Sequence, residues 1–286
     1  MRFHFIRPLA LSLGMALLPV SAQPAAPPVL PGPSDLMLIP TRVVMEGRQR
    51  ATEIILKNIG KATTTYRIQL KEMAMTPTGQ LKDREKASGE TTAADLIRFS
   101  PRQVELAPGE TQTVRIQVRK PEQLADGEYR SHMLFQGVPP AEAPQAPEAE
   151  AEKRLSFSIT PIYGIAIPII VRHGEVKTEV QLANVRYEDP AKETEPPFVL
   201  LNLERRGNGS VLGDFEVSVE SGSSVKKGQS LMLMRGVAVY HPNPLREVVI
   251  PLRVEKGVSL KGARLKVTYT PQDTKLAPLT AMLDVP

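Results

Sequence analysis

The sequence contains no cysteine and no tryptophan in its 286 residues. Without cysteine there are no disulfide staples, thiolate metal sites or cysteine nucleophiles. Without tryptophan, the flat aromatic platforms of a carbohydrate-binding module lose their main component. With 7 Phe and 6 Tyr as the only aromatics, the core has to be filled by Val, Ile, Leu and Met. No stretch carries an apolar stripe at helical spacing over about ten residues or more. Catalytic signatures are also missing: there is no HExxH, no GxSxG elbow and no Walker A loop, and Gly207, Gly209 and Gly213 miss the GxGxxG spacing. Asn208-Gly209 reads instead as a hairpin turn. His132, His173 and His241 lie far apart and read as surface or turn residues. The expectation is a non-enzyme with no metal and no cofactor.

Proline, at 27, and glycine, at 19, suit many short strands joined by turns. Lys and Arg total 36 against 31 Asp and Glu, a net charge of +5, and the two signs are interspersed. That pattern lacks the one-sided basic face of a nucleic-acid binder, so no nucleic-acid partner is expected. The N-terminus has a basic start (Arg2, Arg7), an apolar stretch from Leu9 to Leu18, and a small-residue exit at Val20-Ser21-Ala22. This reads as a secretory signal peptide over residues 1–22, too short to span a bilayer, so no membrane insertion of the mature chain is expected. A tether rich in Pro and Ala follows over 23–35.

From Leu36 onward apolar and polar residues alternate in short runs. Val114, Ile116 and Val118, then Phe215, Val217 and Val219, then Leu265, Val267 and Tyr269 each fall on one face of a strand. Strands at this spacing over two lengths of roughly 100 to 130 residues predict an all-β chain of two immunoglobulin-like β-sandwiches, 36–171 and 172–286. Two segments break the rhythm. Residues 138–152 are mainly Pro, Glu and Ala and predict a mobile loop. The next, 155–171, is the most apolar part of the chain after the leader, with Tyr163, Ile165, Ile167, Ile169 and Val171 on one face and Ile162, Ala166 and Ile170 on the other. Pro161 and Pro168 are an odd number of residues apart, so one of them is expected at a bulge or outside the regular ladder.

Several stretches resemble the periplasmic pilus chaperones of the chaperone-usher pathway. Thr41-Arg42-Val43-Val44-Met45-Glu46-Gly47 is similar to that family's first-strand motif, and Leu56-Lys57-Asn58 with Gly60 to its second strand. Phe99-Ser100-Pro101, Leu106-Ala107-Pro108-Gly109-Glu110 and Val114-Arg115-Ile116 resemble its central stretch, and Glu128-Tyr129-Arg130-Ser131 and Val138-Pro139-Pro140 the strand and exit before its long loop.

The resemblance implies a periplasmic chaperone, working without ATP, that caps fimbrial subunits by donor-strand complementation and delivers them to an outer-membrane usher. On this reading Tyr163, Ile165, Ile167, Ile169 and Val171 enter the subunit, while Ile162, Ala166 and Ile170 complete the chaperone's own core. The resemblance also implies that the two immunoglobulin-like sandwiches are arranged around a cleft, and makes Arg42 a cation there for the subunit's C-terminal carboxylate. The family's second cation, a lysine in the donor strand, is absent from 156–171, where Pro168 stands at its place. Either another residue substitutes, Arg172 being the nearest candidate, or the anchoring is weaker. A self-capped homodimer of the free chain is also allowed. The competing reading is an exported β-sandwich that is itself a structural component of a pilus or cell-surface assembly.

Overall fold

A computed structural model describes residues 35–139 and 162–286, apart from 191, 193, 194, 223, 224, 256, 273 and 274. The leader, most of the tether, the Glu-rich segment and Pro161 lie outside the described residues.

The N-terminal half contains β1 (Leu36–Ile39), β2 (Val43–Met45), β3 (Ala51–Asn58), β4 (Thr64–Lys71), β5 (Met73–Met75) and β6 (Leu81–Asp83). After a single-turn helix α1 (Ala93–Leu96) come β7 (Ile97–Ser100), β8 (Gln103–Leu106), β9 (Thr111–Val118), β10 (Gly127–Val138) and β11 (Gly164–His173). Two sheets, ordered β1-β3-β9-β7 and β2-β11-β10-β4-β8, make the sandwich, and β5 and β6 form a separate hairpin. Val114, Ile116 and Val118 of β9 face inward while Arg115 and Gln117 face water, as their alternation requires. The turn before β9 follows from its sequence: Gly109 adopts φ +79° and the Glu110 amide donates to the Ala107 carbonyl at 3.0 Å, with Pro108 fixing the first corner.

The C-terminal half contains β12 (Thr178–Glu188), β13 (Phe198–Gly207), β14 (Val211–Ser221), β15 (Ser230–Val239), β16 (Leu245–Pro251), β17 (Arg264–Pro271) and β18 (Leu279–Asp284). Its sheets are β12-β13-β16 and β15-β14-β17-β18. Phe215, Val217, Leu265, Val267 and Tyr269 are fully buried between them. The chain is thus an all-β, two-sandwich fold. The expected hairpin at Asn208-Gly209 is not formed. β13 and β14 lie in different sheets, and these residues carry the chain from one layer to the other. Asn208 instead ties that crossing down, its Oδ1 accepting from the Lys177 amide at 2.7 Å and its Nδ2 donating to the Glu175 carbonyl at 3.0 Å.

The two sandwiches meet across one face of the sheet containing β10 and β11. Ile170 and Met75 from the first half pack against Ala238 and Tyr240 from the second. Beside this contact the Glu128 carboxylate, wholly buried, accepts from Arg172 Nε at 3.2 Å and from the Ser210 amide at 3.0 Å, and also bonds the Ser210 hydroxyl. A buried carboxylate needs such a set of donors to offset the loss of its water.

Candidate functional site

The site is built on β11 and its neighbours. Along its whole length β11 pairs with β10, from Gly164 opposite Gln136 to His173 opposite Gly127. On its other side β2 runs parallel to it, but only over Ile169, Ile170 and Val171. Gly164 to Pro168 therefore have a strand on one side only, among the described residues. Just before them Ile162 and Tyr163 are 54% and 40% exposed.

This pairing reverses the two faces expected from the sequence. Ile167, Ile169 and Val171 are buried in the core of the first sandwich, and Ile165 packs partly against it. The opposite face carries Ile170 into the contact between the halves and leaves Ile162 exposed and Ala166 half-buried. The reason is that the strand is apolar on both sides, so its sequence alone does not say which side meets its own sandwich. From Ile167 to Arg172 both faces are covered by the chain itself.

The face turned toward the second half holds the cations. Arg42 immediately precedes Val43, the partner of Ile169, and so neighbours Pro168; on the other side of Pro168 stands His132. One step along β10, Arg130 lies opposite Ile170. Tyr240 projects onto this face from the second sandwich. Its ring centroid is 5.6 Å from the Arg42 guanidinium and 4.6 Å from that of Arg130, and the His132 ring meets it edge-on at 6.0 Å. Beside Arg130 a cavity of about 570 Å³ opens between the halves, with Arg84 and Glu90 on one wall and Asn208, His241 and Asn243 on the other.

Charge within this site is unevenly satisfied. Arg130 Nη1 is 3.4 Å from His132 Nδ1 and its Nη2 3.5 Å from the His241 carbonyl, both long contacts, and among the described residues its buried Nε makes no hydrogen bond. Burial lowers the Arg130 pKa from its ordinary value, opposed by the electrostatic attraction of Tyr240 and Glu128. Because an arginine only donates, His132 Nδ1 is the acceptor and its Nε2 carries the proton. Burial first, and the adjacent Arg130 second, push the His132 pKa down to about 3, so it is neutral at physiological pH. The expectation of a surface histidine is overturned for His132, which is fully buried. His241 and His173 are half-buried, His241 in the turn after β15.

Arg172, the nearest substitute cation in the sequence, is buried and paired with Glu128 at 3.2 Å and Glu46 at 3.6 Å. Its charge joins the strand ends to the Glu128 hub, and it lines a separate opening with Glu46, Val176, Thr178 and Gln272. Sequence reasoning missed Arg130, His132 and Tyr240. The available signal was parity: residues 130 and 132 share a face of β10 with Glu128, opposite the buried Met133 and Phe135. Among the described residues no cluster of three or more metal-ligating side chains occurs, and no helix is long and apolar enough to cross a membrane.

Residues 35–172 match the family model of the pili and flagellar-assembly chaperone, PapD N-terminal domain. Among solved structures, that of the Salmonella enterica SafA pilin in complex with the SafB chaperone is similar at 13% identity and a TM-score of 0.43, covering 90% of this chain and 99% of that one. The Pseudomonas aeruginosa CupB2 chaperone is similar at 11% identity and a TM-score of 0.42, covering 87% and 100%. The Acinetobacter baumannii CsuC-CsuE chaperone-tip adhesion subunit pre-assembly complex is similar at 12% identity and 0.42, covering 87% and 97%. A search of curated sequences finds no match. Residues 35–172 thus belong, as an N-terminal domain, to the PapD-type pili and flagellar-assembly chaperone family.

Proposed function

We propose that this chain is a chaperone of the periplasm that binds fimbrial subunits without ATP by adding its own strand to theirs, and that it passes them to an outer-membrane usher. Export through residues 1–22, the tether over 23–35 and a division of the mature chain at residues 171 and 172 belong to the same reading. The observation that carries it is the half-paired strand β11, whose Gly164 to Pro168 margin has no second paired strand among the described residues. An open strand edge presents a row of amide and carbonyl groups that another extended chain can pair with, whatever its sequence.

The faces observed for β11 change which side chains are offered. Ile167, Ile169 and Val171 serve the chain's own core, so the subunit meets the backbone from Gly164 to Ile167 and the exposed Ile162 and Tyr163 before it. In the cleft, Arg42 takes the subunit's C-terminal carboxylate, and Arg130 rather than Arg172 acts as the second cation. A guanidinium suits this task because it can donate two parallel hydrogen bonds to a planar carboxylate. The proline at position 168 removes the expected lysine, and Arg130 lies one step away on the adjacent strand.

Co-expression with a fimbrial subunit tests this reading. The native chain is expected to co-purify with the subunit as a 1:1 complex from a periplasmic extract. Arg42→Glu and Arg130→Gln should each reduce the recovered subunit at least tenfold while the free protein stays folded. Absence of any complex with the native chain would remove the chaperone role. Normal recovery with Arg42→Glu would remove Arg42 from the site.

A further inference from the structure

We propose that Tyr240 is a positioning residue of the carboxylate site, its ring carried in by the second sandwich to hold the Arg42 and Arg130 guanidiniums ready for one carboxylate. This inference rests on the reading of those two arginines as the anchor.

A guanidinium on a partly buried face loses part of its hydration, which a neighbouring group can offset. An aromatic ring does so, because the negative faces of its π-system attract cations. Tyr240 meets both guanidiniums, at 5.6 Å and 4.6 Å. The ring is itself fixed by its surroundings. It packs with Met75, Ile170 and Ala238, and the Asn243 amide donates to the Tyr240 carbonyl at 2.8 Å. Asn243 in turn reaches the first sandwich, its Nδ2 donating to the Met75 carbonyl at 2.5 Å. The position of the ring therefore follows from the docking of the two halves, and the second sandwich completes the anchor rather than only walling the cleft. The ring, not its hydroxyl, makes these contacts, so phenylalanine should replace it and leucine should not.

The test is an NMR titration of the full chain with sodium acetate, acetamide serving as the uncharged control, followed through the Nε–H signals of Arg42 and Arg130. In the native protein acetate should move both signals and acetamide neither. Tyr240→Phe should bind acetate within twofold of native, whereas Tyr240→Leu should bind it about tenfold more weakly. A ring that merely packs would change the melting temperature without this difference between leucine and phenylalanine. Native acetate affinity in Tyr240→Leu would overturn the proposal, as would loss of binding in Tyr240→Phe, which would make the hydroxyl the needed group. If acetate moves neither arginine signal in the native protein, the anchor itself falls and this inference with it; if it moves both signals equally in the leucine variant, the anchor stands and only the role of Tyr240 fails.

Discussion

The two ends of β11 have the same kind of sequence and different surroundings. From Ile169 to Val171 the strand lies between β10 and β2, with one face in the core of the first sandwich and the other against the second half. From Gly164 to Ala166 it has β10 alone among the described residues, and its side chains are exposed or half-buried. Apolar composition therefore does not separate a strand that holds its own molecule together from one that is open to another. Pairing does, and it changes over the length of a few residues.

A charge placed at the closed end should produce the largest effect. Ile169 is fully buried, so Ile169→Asp is expected to lower unfolding stability by about 4 kcal/mol or more, measured by denaturant titration. Survival of the fold with little change would place Ile169 outside the core. Next comes the hub beside the closed end. Glu128→Ala removes the nearer carboxylate from the buried Arg172 while the Glu46 contact at 3.6 Å stays, and should cost about 3 kcal/mol. A loss under about 1 kcal/mol would mean that water or a neighbour compensates Arg172.

A pH experiment sharpens the same contrast. The His132 pKa, about 3 in the folded chain, lies below its unfolded value near 6.5. The unfolded chain therefore takes up the proton first, and stability present above pH ~6.5 is lost as the pH falls toward 3. Between pH 7 and 5 the loss assigned to His132 is about 2 kcal/mol, and His132→Gln should remove it. His241, also lowered by burial, contributes in the same direction. An unchanged pH profile in the glutamine variant would mean that His132 is not held neutral. The smallest effect on stability belongs to the open end: Ile162→Asp should change it by no more than about 0.5 kcal/mol, because Ile162 is 54% exposed, yet it should weaken subunit binding. A large loss of stability would show that Ile162 packs into its own fold.

These outcomes also separate what the sequence could carry from what it could not. Alternation along β9, β14 and β17 was legible because each of these strands has a clear inward row, Val114 to Val118, Phe215 to Val219 and Leu265 to Tyr269. β11 misled because both its rows are apolar, and the side that faces inward is set by its neighbours. Arg172 was near the right place in sequence, but Glu128, 44 residues away, binds it. Asn208-Gly209 has the composition of a hairpin, yet it bridges two sheets, with the left-handed glycine conformation falling at Gly207. Parity alone places Arg130 and His132 on one face of β10, but Tyr240 reaches them only when the two sandwiches dock, and no local pattern encodes that contact. Arg42 was singled out by its motif, and its approach to the Tyr240 ring was not foreseeable from the motif.

The central claim is that a subunit pairs with the open margin of β11, and hydrogen exchange on the complex addresses it most directly. The free chain and its 1:1 complex with a fimbrial subunit would be compared amide by amide from Gly164 to Val171. The account predicts that binding slows exchange within Gly164 to Ile167, while Ile169 to Val171, already paired on both sides, stay as they were. A complex that forms while the exchange of Gly164 to Ile167 remains that of the free chain would contradict it.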